Sequence, residues 1–131
     1  MPITYRDDHE VDLDQLATLF DTAGWSSRTA DRARLTQQVL GALFVASAWD
    51  GPTLVGFARA ISDGATNAYI STVAVRPEYQ GHGIGRELVR RLTEGREGIL
   101  FVLHARREVI PFYLKCGFEH AEDMLRIPRK F

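Results

Sequence analysis

The stretch Val73-Ala74-Val75-Arg76-Pro77-Glu78-Tyr79-Gln80-Gly81-His82-Gly83-Ile84-Gly85-Arg86-Glu87-Leu88 decides how this chain folds. It begins as an apolar run, passes a proline, and crosses three glycines at alternate positions. It then enters a segment in which Ile84, Leu88 and Leu92 recur every fourth residue. That spacing predicts a helix over Ile84–Thr93, and the run Ala68–Val75 predicts a strand ahead of it. Glycine is costly inside a helix or strand, so three in such close order indicate backbone that something must approach. A strand, a loop of bare amides and a helix N-terminus together make an anion site. The first-turn N–H groups have no partner in the helix, and the helix dipole favours negative charge. Gln80, His82 and Arg86 add side-chain donors, and pyrophosphate is the natural guest.

Two other phosphate motifs fit poorly. A P-loop requires Lys and Ser/Thr after its last glycine, and here Gly85 is followed by Arg86-Glu87. A dinucleotide fingerprint has G-x-G-x-x-G directly after the strand. Here the spacing is G-x-G-x-G, five residues including Pro77 intervene, and the next strand ends in His104 and Arg106 with no ribose-binding acid.

Outward from this centre, alternating element types appear. Ile3–Arg6 reads as a short strand. Asp12 caps a helix reaching about Thr22, with Leu13, Leu16, Leu19 and Phe20 on one face and Gly24 beyond it. A second helix is predicted from Thr29 to about Leu40. Leu43–Trp49 and Thr53–Ile61 are strands joined by Asp50-Gly51-Pro52, a hairpin signal, and Asp63-Gly64 marks another turn. After the glycine helix, Ile99–His104 is a short apolar run that suits a central strand. Val109–Cys116 is a short helix with Pro111 in its first turn and Gly117 after it. Phe118–Pro128 leaves room for one or two further strands. The expected class is α/β (α+β): a mixed, largely antiparallel sheet of about 6–7 strands with about four helices, in the order β-α-α-β-β-β-α-β-α-β.

Composition narrows the function classes. At 131 residues the chain fits a single domain, 1–131, that buries roughly two-thirds of its unfolded surface. A formal net charge of −1 provides no field for nucleic acid, and no segment has the apolar length of a membrane span. Cys116 is the only cysteine, in keeping with a reducing, cytoplasmic setting. No cluster of residues calls for a metal.

The residues Val73 to Gly85 resemble the acetyl-CoA signature of the GNAT superfamily of N-acetyltransferases, Gln/Arg-x-x-Gly-x-Gly/Ala, here Gln80, Gly83 and Gly85. Some thirty residues on, Phe112-Tyr113-Leu114-Lys115-Cys116-Gly117-Phe118 is similar to the family's second motif, Phe-Tyr-x-x-x-Gly-Phe. The close match covers residues 68–118; the N-terminal elements agree only in their order. The resemblance implies that the strand ending at Val75 and the Ile99–His104 strand splay apart. Pantetheine would then pair with the main chain of Val73, Ala74 and Val75. The amides of Gln80, Gly81, His82, Gly83, Ile84, Gly85 and Arg86 would hold the pyrophosphate.

The implied reaction moves acetyl from the thioester of acetyl-CoA to a primary amine of a small molecule, by direct attack in a ternary complex. Such a transfer needs the ammonium deprotonated, an oxyanion donor such as a main-chain N–H near Val75, and an acid for the departing thiolate. Tyr113 occupies the family position of that acid. His104 is a candidate base, Asp63 and Glu108 are weaker ones, and a water chain to solvent is the alternative. Cys116, just before Gly117, reads as a packed thiol rather than a nucleophile. Trp25, in the loop after the first helix, is either a wall for the amine acceptor or an anchor joining two helices, whereas Trp49 reads as a sheet-packing residue.

The chain departs from the family at Arg106, where a pantetheine-contacting Asn is common; Arg106 or Arg107 would instead meet the 3′-phosphate. It departs again at Tyr69-Ile70-Ser71-Thr72, which lacks the acidic residue of many relatives. Two other functions remain open: a protein or peptide N-acetyltransferase, and a catalytically idle CoA-binding sensor. Dimerisation is an expectation from the family alone.

Overall fold

The computed structural model describes residues 2–24 and 29–130. One five-stranded sheet, in the order β1-β2-β3-β4-β5, organises them. β1 (Thr4–Arg6), β2 (Phe44–Asp50), β3 (Thr53–Ser62) and β4 (Asn67–Val75) pair antiparallel in sequence order, and β5 (Leu100–Leu103) joins β4 in parallel. The parallel pair needs a crossover, which α3 (Ile84–Thr93) supplies.

Each remaining element follows from its local chemistry. Asp12 caps α1 (Leu13–Thr22) by accepting from the amides of Asp14 and Gln15. The second helix, α2, spans Arg32–Leu40 rather than starting at Thr29, because the Asp31 carboxylate accepts from Arg34 N and caps it there. The Thr29 hydroxyl is spent instead on Asp21 Oδ1, at 2.8 Å. Gly51 turns the β2–β3 hairpin at φ +57°. The Asp63 carboxylate accepts from the amides of Ala65 and Thr66, both at 2.8 Å, and locks the β3–β4 turn.

The sheet is apolar on both faces. Leu16, Leu19 and Phe20 of α1 with Leu35 and Val39 of α2 pack on Val45, Trp49, Leu54, Phe57 and Ala74. Ile84, Leu88 and Leu92 of α3 pack on Ala46, Ala48, Val55, Ala58, Ala60, Ala68 and Ile70 on the opposite face. Alanines dominate this second face, so the helix lies close to the strands. At Gly56 even a methyl group would stand 3.0 Å from Leu88 Cδ1 and 3.2 Å from Ile84 Cγ2. Two register shifts interrupt the ladders, one between Ala48 and Trp49 of β2 and one between Arg59 and Ala60 of β3. Opposite the latter, Ser71 of β4 is the extra residue, so side chains before and after it exchange faces.

The expectation of 6–7 strands is corrected to five among the described residues, and the element order ends on α4 (Ile110–Lys115) rather than on a strand. Residues 119–130 run without regular structure, and Leu125 and Ile127 are each 95% exposed. Met124, Leu125 and Ile127 do not alternate strictly, charges flank them, and Pro128 lacks an N–H, so no face of a strand is buried there.

Candidate functional site

β4 is nine residues long, yet its pairing with β5 covers only Asn67 to Ile70, opposite Leu100 to Leu103. From Ser71 to Val75 that edge of β4 has no strand beside it among the described residues. The gap opens into a cleft of ≈ 1090 Å³, lined by the second half of β4, the glycine loop, the start of α3, residues 103–106 and α4. Its floor is sheet, and its two ends differ in chemistry.

One end is the glycine loop. Gly81 and Gly83 adopt φ of +81° and +83°, a region L side chains avoid. A Cβ built on either meets nothing within 4 Å, so the space beside both is open. Gly83 sits at the N-cap of α3, no side chain caps the helix, and the first helical bond runs from Glu87 N to Gly83 O. The amides ahead of Glu87 thus face the cleft as free donors beside the positive end of the helix. Gly85 does a different job: a Cβ there would come within 3.2 Å of Phe112 Cζ, so it lets α4 pack against α3.

The other predicted residues are distributed as follows. Val73, Val75, Gln80, Gly81, Gly83, Ile84, Gly85 and Arg86 all line the cleft, as do Tyr113 and His104. Ala74 is buried with its side chain in the α1–α2 core. The Gln80 side chain donates to Val75 O at 3.0 Å and braces the loop against the strand. Exposed His82 holds its Nδ1 3.0 Å from Gln80 O and 3.2 Å from Tyr79 O, as a proton donor to carbonyls. Trp25 lies outside the described residues. Trp49 is buried, donating from Nε1 to Ser47 Oγ at 2.8 Å beneath the Arg6 guanidinium.

Tyr113 is half-buried between Phe112 and Phe118, in edge-on contact with both rings. Burial, with a smaller contribution from Cys116, pushes its phenol up to about 12. At neutral pH it therefore holds its proton and has one to donate. Burial also raises the Cys116 thiol, opposed by the Arg86 guanidinium, so it stays a thiol. His104 is exposed on the first position after β5. Glu108 lines the cleft, whereas Asp63 is held by hydrogen bonds in its turn, with its pKa lowered by Thr66 first of all.

In the sequence, Ser71 and Thr72 read only as part of a strand lacking an acid. Both line the cleft, and both accept hydrogen bonds from Arg59. The signal available in the sequence was an arginine inside an apolar β run; nothing there located its partners. Arg106, Lys115 and Arg129 join Arg86 around the cleft, against Glu108 as the one carboxylate among the described residues.

The model of the acetyltransferase (GNAT) family matches residues 11–118. The chain belongs to the GNAT family. Among GNAT relatives, the Porphyra purpurea protein called uncharacterized N-acetyltransferase ycf52 is 34% identical over 116 residues, covering 82% of this chain and 65% of that protein. Histone acetyltransferase TAP1 of Glycine max is 33% identical over 131 residues, covering 89% of this chain and 56% of that one. The chain thus spans less than two-thirds of the length of these relatives. Among solved structures, a GNAT family acetyltransferase of Streptococcus pneumoniae superposes with a TM-score of 0.75 at 25% identity, covering 98% of this chain and all of the other. The PaiA N-acetyltransferase of Thermoplasma acidophilum, in complex with coenzyme A, has a TM-score of 0.76 at 22% identity over 95% of this chain and 94% of its own.

Proposed function

We propose that the chain is a single-domain, acetyl-CoA-dependent N-acetyltransferase acting on a primary amine of a small molecule. The observation that carries this reading is one cleft, opened where β5 leaves β4, that joins uncapped helix amides at one end to a protonated, half-buried Tyr113. CoA fits the residues present. Gly81 and Gly83 leave open space beside donors, and Arg86, Arg106, Lys115 and Arg129 match its phosphates in charge. In this reading Gly81–Arg86 hold the pyrophosphate, Val73 and Val75 offer main chain to the pantetheine arm, and Arg106 reaches toward the nucleotide. The fold is shared with a protein whose structure contains coenzyme A, which supports the same guest here.

Acetyl-CoA, when bound, supplies the activated acyl group. The amine gives up one proton in accepting it, and the thiol released needs one; Tyr113 holds that proton at its phenolic oxygen. His104 at the mouth, or water reaching the cleft past it, takes the proton of the amine. Burial holds Cys116 toward its thiol form, which supports direct attack by the amine over a covalent route. The similarity to a histone acetyltransferase favours a lysine side chain of a protein as the second reading for the acceptor. A reducing compartment such as the cytoplasm suits a chain whose lone cysteine is a free thiol, and no described helix is long and apolar enough to cross a membrane.

Calorimetric titration of acetyl-CoA, followed by thiol release with a panel of amines, tests the reading. Gly83→Glu should abolish binding by placing bulk and charge at the helix amides. Gly83→Ala bears a similar left-handed strain, about 1 kcal/mol, without the charge, and should bind within a few-fold of the parent. Equal affinity in the parent and Gly83→Glu would overturn the assignment.

A further inference from the structure

We propose that Arg59, Ser71 and Thr72 form a recognition site for the acceptor, selecting an amine that also carries a carboxylate; this rests on the acyl-transfer reading above. In a regular strand, neighbouring side chains point to opposite faces. At the β4 bulge they do not: Arg59 Nε donates to Thr72 Oγ1 and Arg59 Nη2 to Ser71 Oγ, each at 3.0 Å. Arg59 lies between Ala58 and Ala60, which both pack toward α3, so its side chain points to the α1–α2 face. It is 8% exposed, and Thr72 is 4% exposed.

A hydroxyl has one proton and two lone pairs, and a guanidinium has only protons. Arg59 therefore occupies a lone pair on each hydroxyl and leaves both O–H protons to be donated elsewhere. Both residues also line the cleft. Two adjacent O–H donors with a cation behind them suit a group that only accepts, and an ionised carboxylate is the common biological one. Ser71 stands four residues, about 13 Å of strand, from Val75 and so lies away from the glycine loop. That is the part of the cleft left for the acceptor, on the sheet face opposite α3. Hydroxyls that accept from an arginine attract a carboxylate, where an acidic side chain would repel one.

The test is calorimetry on the CoA-loaded protein with matched amines: phenylalanine against phenethylamine, and lysine against cadaverine. The expected result is that at least one amino acid binds about ten-fold or more tightly than its decarboxylated partner. Ser71→Ala and Thr72→Val should each remove most of that ratio while acetyl-CoA affinity stays within about two-fold. Arg59→Lys, which keeps the charge and loses the two-pronged hold, should lower the ratio as well. Thermal melts identify any variant that fails to fold; Ser71→Ala, at a part-exposed bulge, keeps the test available. Equal binding within the pairs, binding of neither member, or a ratio unchanged in Ser71→Ala and Thr72→Val would overturn the proposal. Failure of the parent protein to bind acetyl-CoA would overturn the underlying reading, and this one with it.

Discussion

Tyr113 keeps its proton well into the alkaline range because Phe112, Phe118 and the body of α4 exclude the water that would solvate a phenolate. The sign of the resulting pH dependence follows. An ordinary phenol ionises near 10, and one raised to about 12 does so two pH units later. An alkyl ammonium loses its proton near 10.4. Turnover should therefore climb with pH as the amine is freed, with no fall from Tyr113 ionisation below about pH 11. Tyr113→Phe should cut turnover by roughly 10²-fold with acetyl-CoA affinity unchanged. A steady-state pH profile of both proteins checks this, and a falling limb near pH 10 in the parent alone would refute it. The three glycines make a second residue-scale lesson. They look alike in the sequence, yet Gly81 and Gly83 serve left-handed backbone and Gly85 serves a contact with Phe112. Local pattern reveals the need for small residues, while the reason at each position depends on what folds against it.

At the scale of elements, the cleft depends on how closely α3 lies on β3, because the first turn of α3 carries the donors. At Gly56 an added methyl would press on Leu88, Ile84 and Ala48, the last at 3.3 Å. None of these is a flexible surface side chain that can swing aside. Gly56→Ala should destabilise the fold by about 1–3 kcal/mol through overpacking. Chemical denaturation would measure this, and a variant as stable as the parent would mean that α3 has slack. The elements themselves were largely readable from periodicity and caps: α1 with its Asp12 cap, the Gly51 hairpin and α3 all stand where their residues predict. α2 starts later than its sequence signals predict because Thr29 and Asp31 are both cap formers, and the Asp21 partner of Thr29 distinguishes them. The expected terminal strands are absent among the described residues because a few apolar residues in a row do not create a ladder to join.

For the molecule as a whole, a net charge of −1 conceals an uneven distribution. Arg86, Arg106, Lys115 and Arg129 come from four different segments and gather on one cleft. Acetyl-CoA affinity should therefore weaken several-fold between about 0.05 and 0.5 M salt, as the screening length shrinks to a few ångströms. Calorimetry across that range checks it, and a flat response would mean that these cations do not face the phosphates. The sequence by itself determined the glycine-rich helix start, the aromatic α4, the order of elements up to that helix and the family, because each depends on contacts within a turn or two or on a contiguous motif. Only the tertiary structure decided where β5 stops pairing with β4, which residue bulges, and that Arg59 donates to both Ser71 and Thr72 at the cleft. Those depend on register between strands more than ten residues apart, where a single extra residue changes which face a side chain takes.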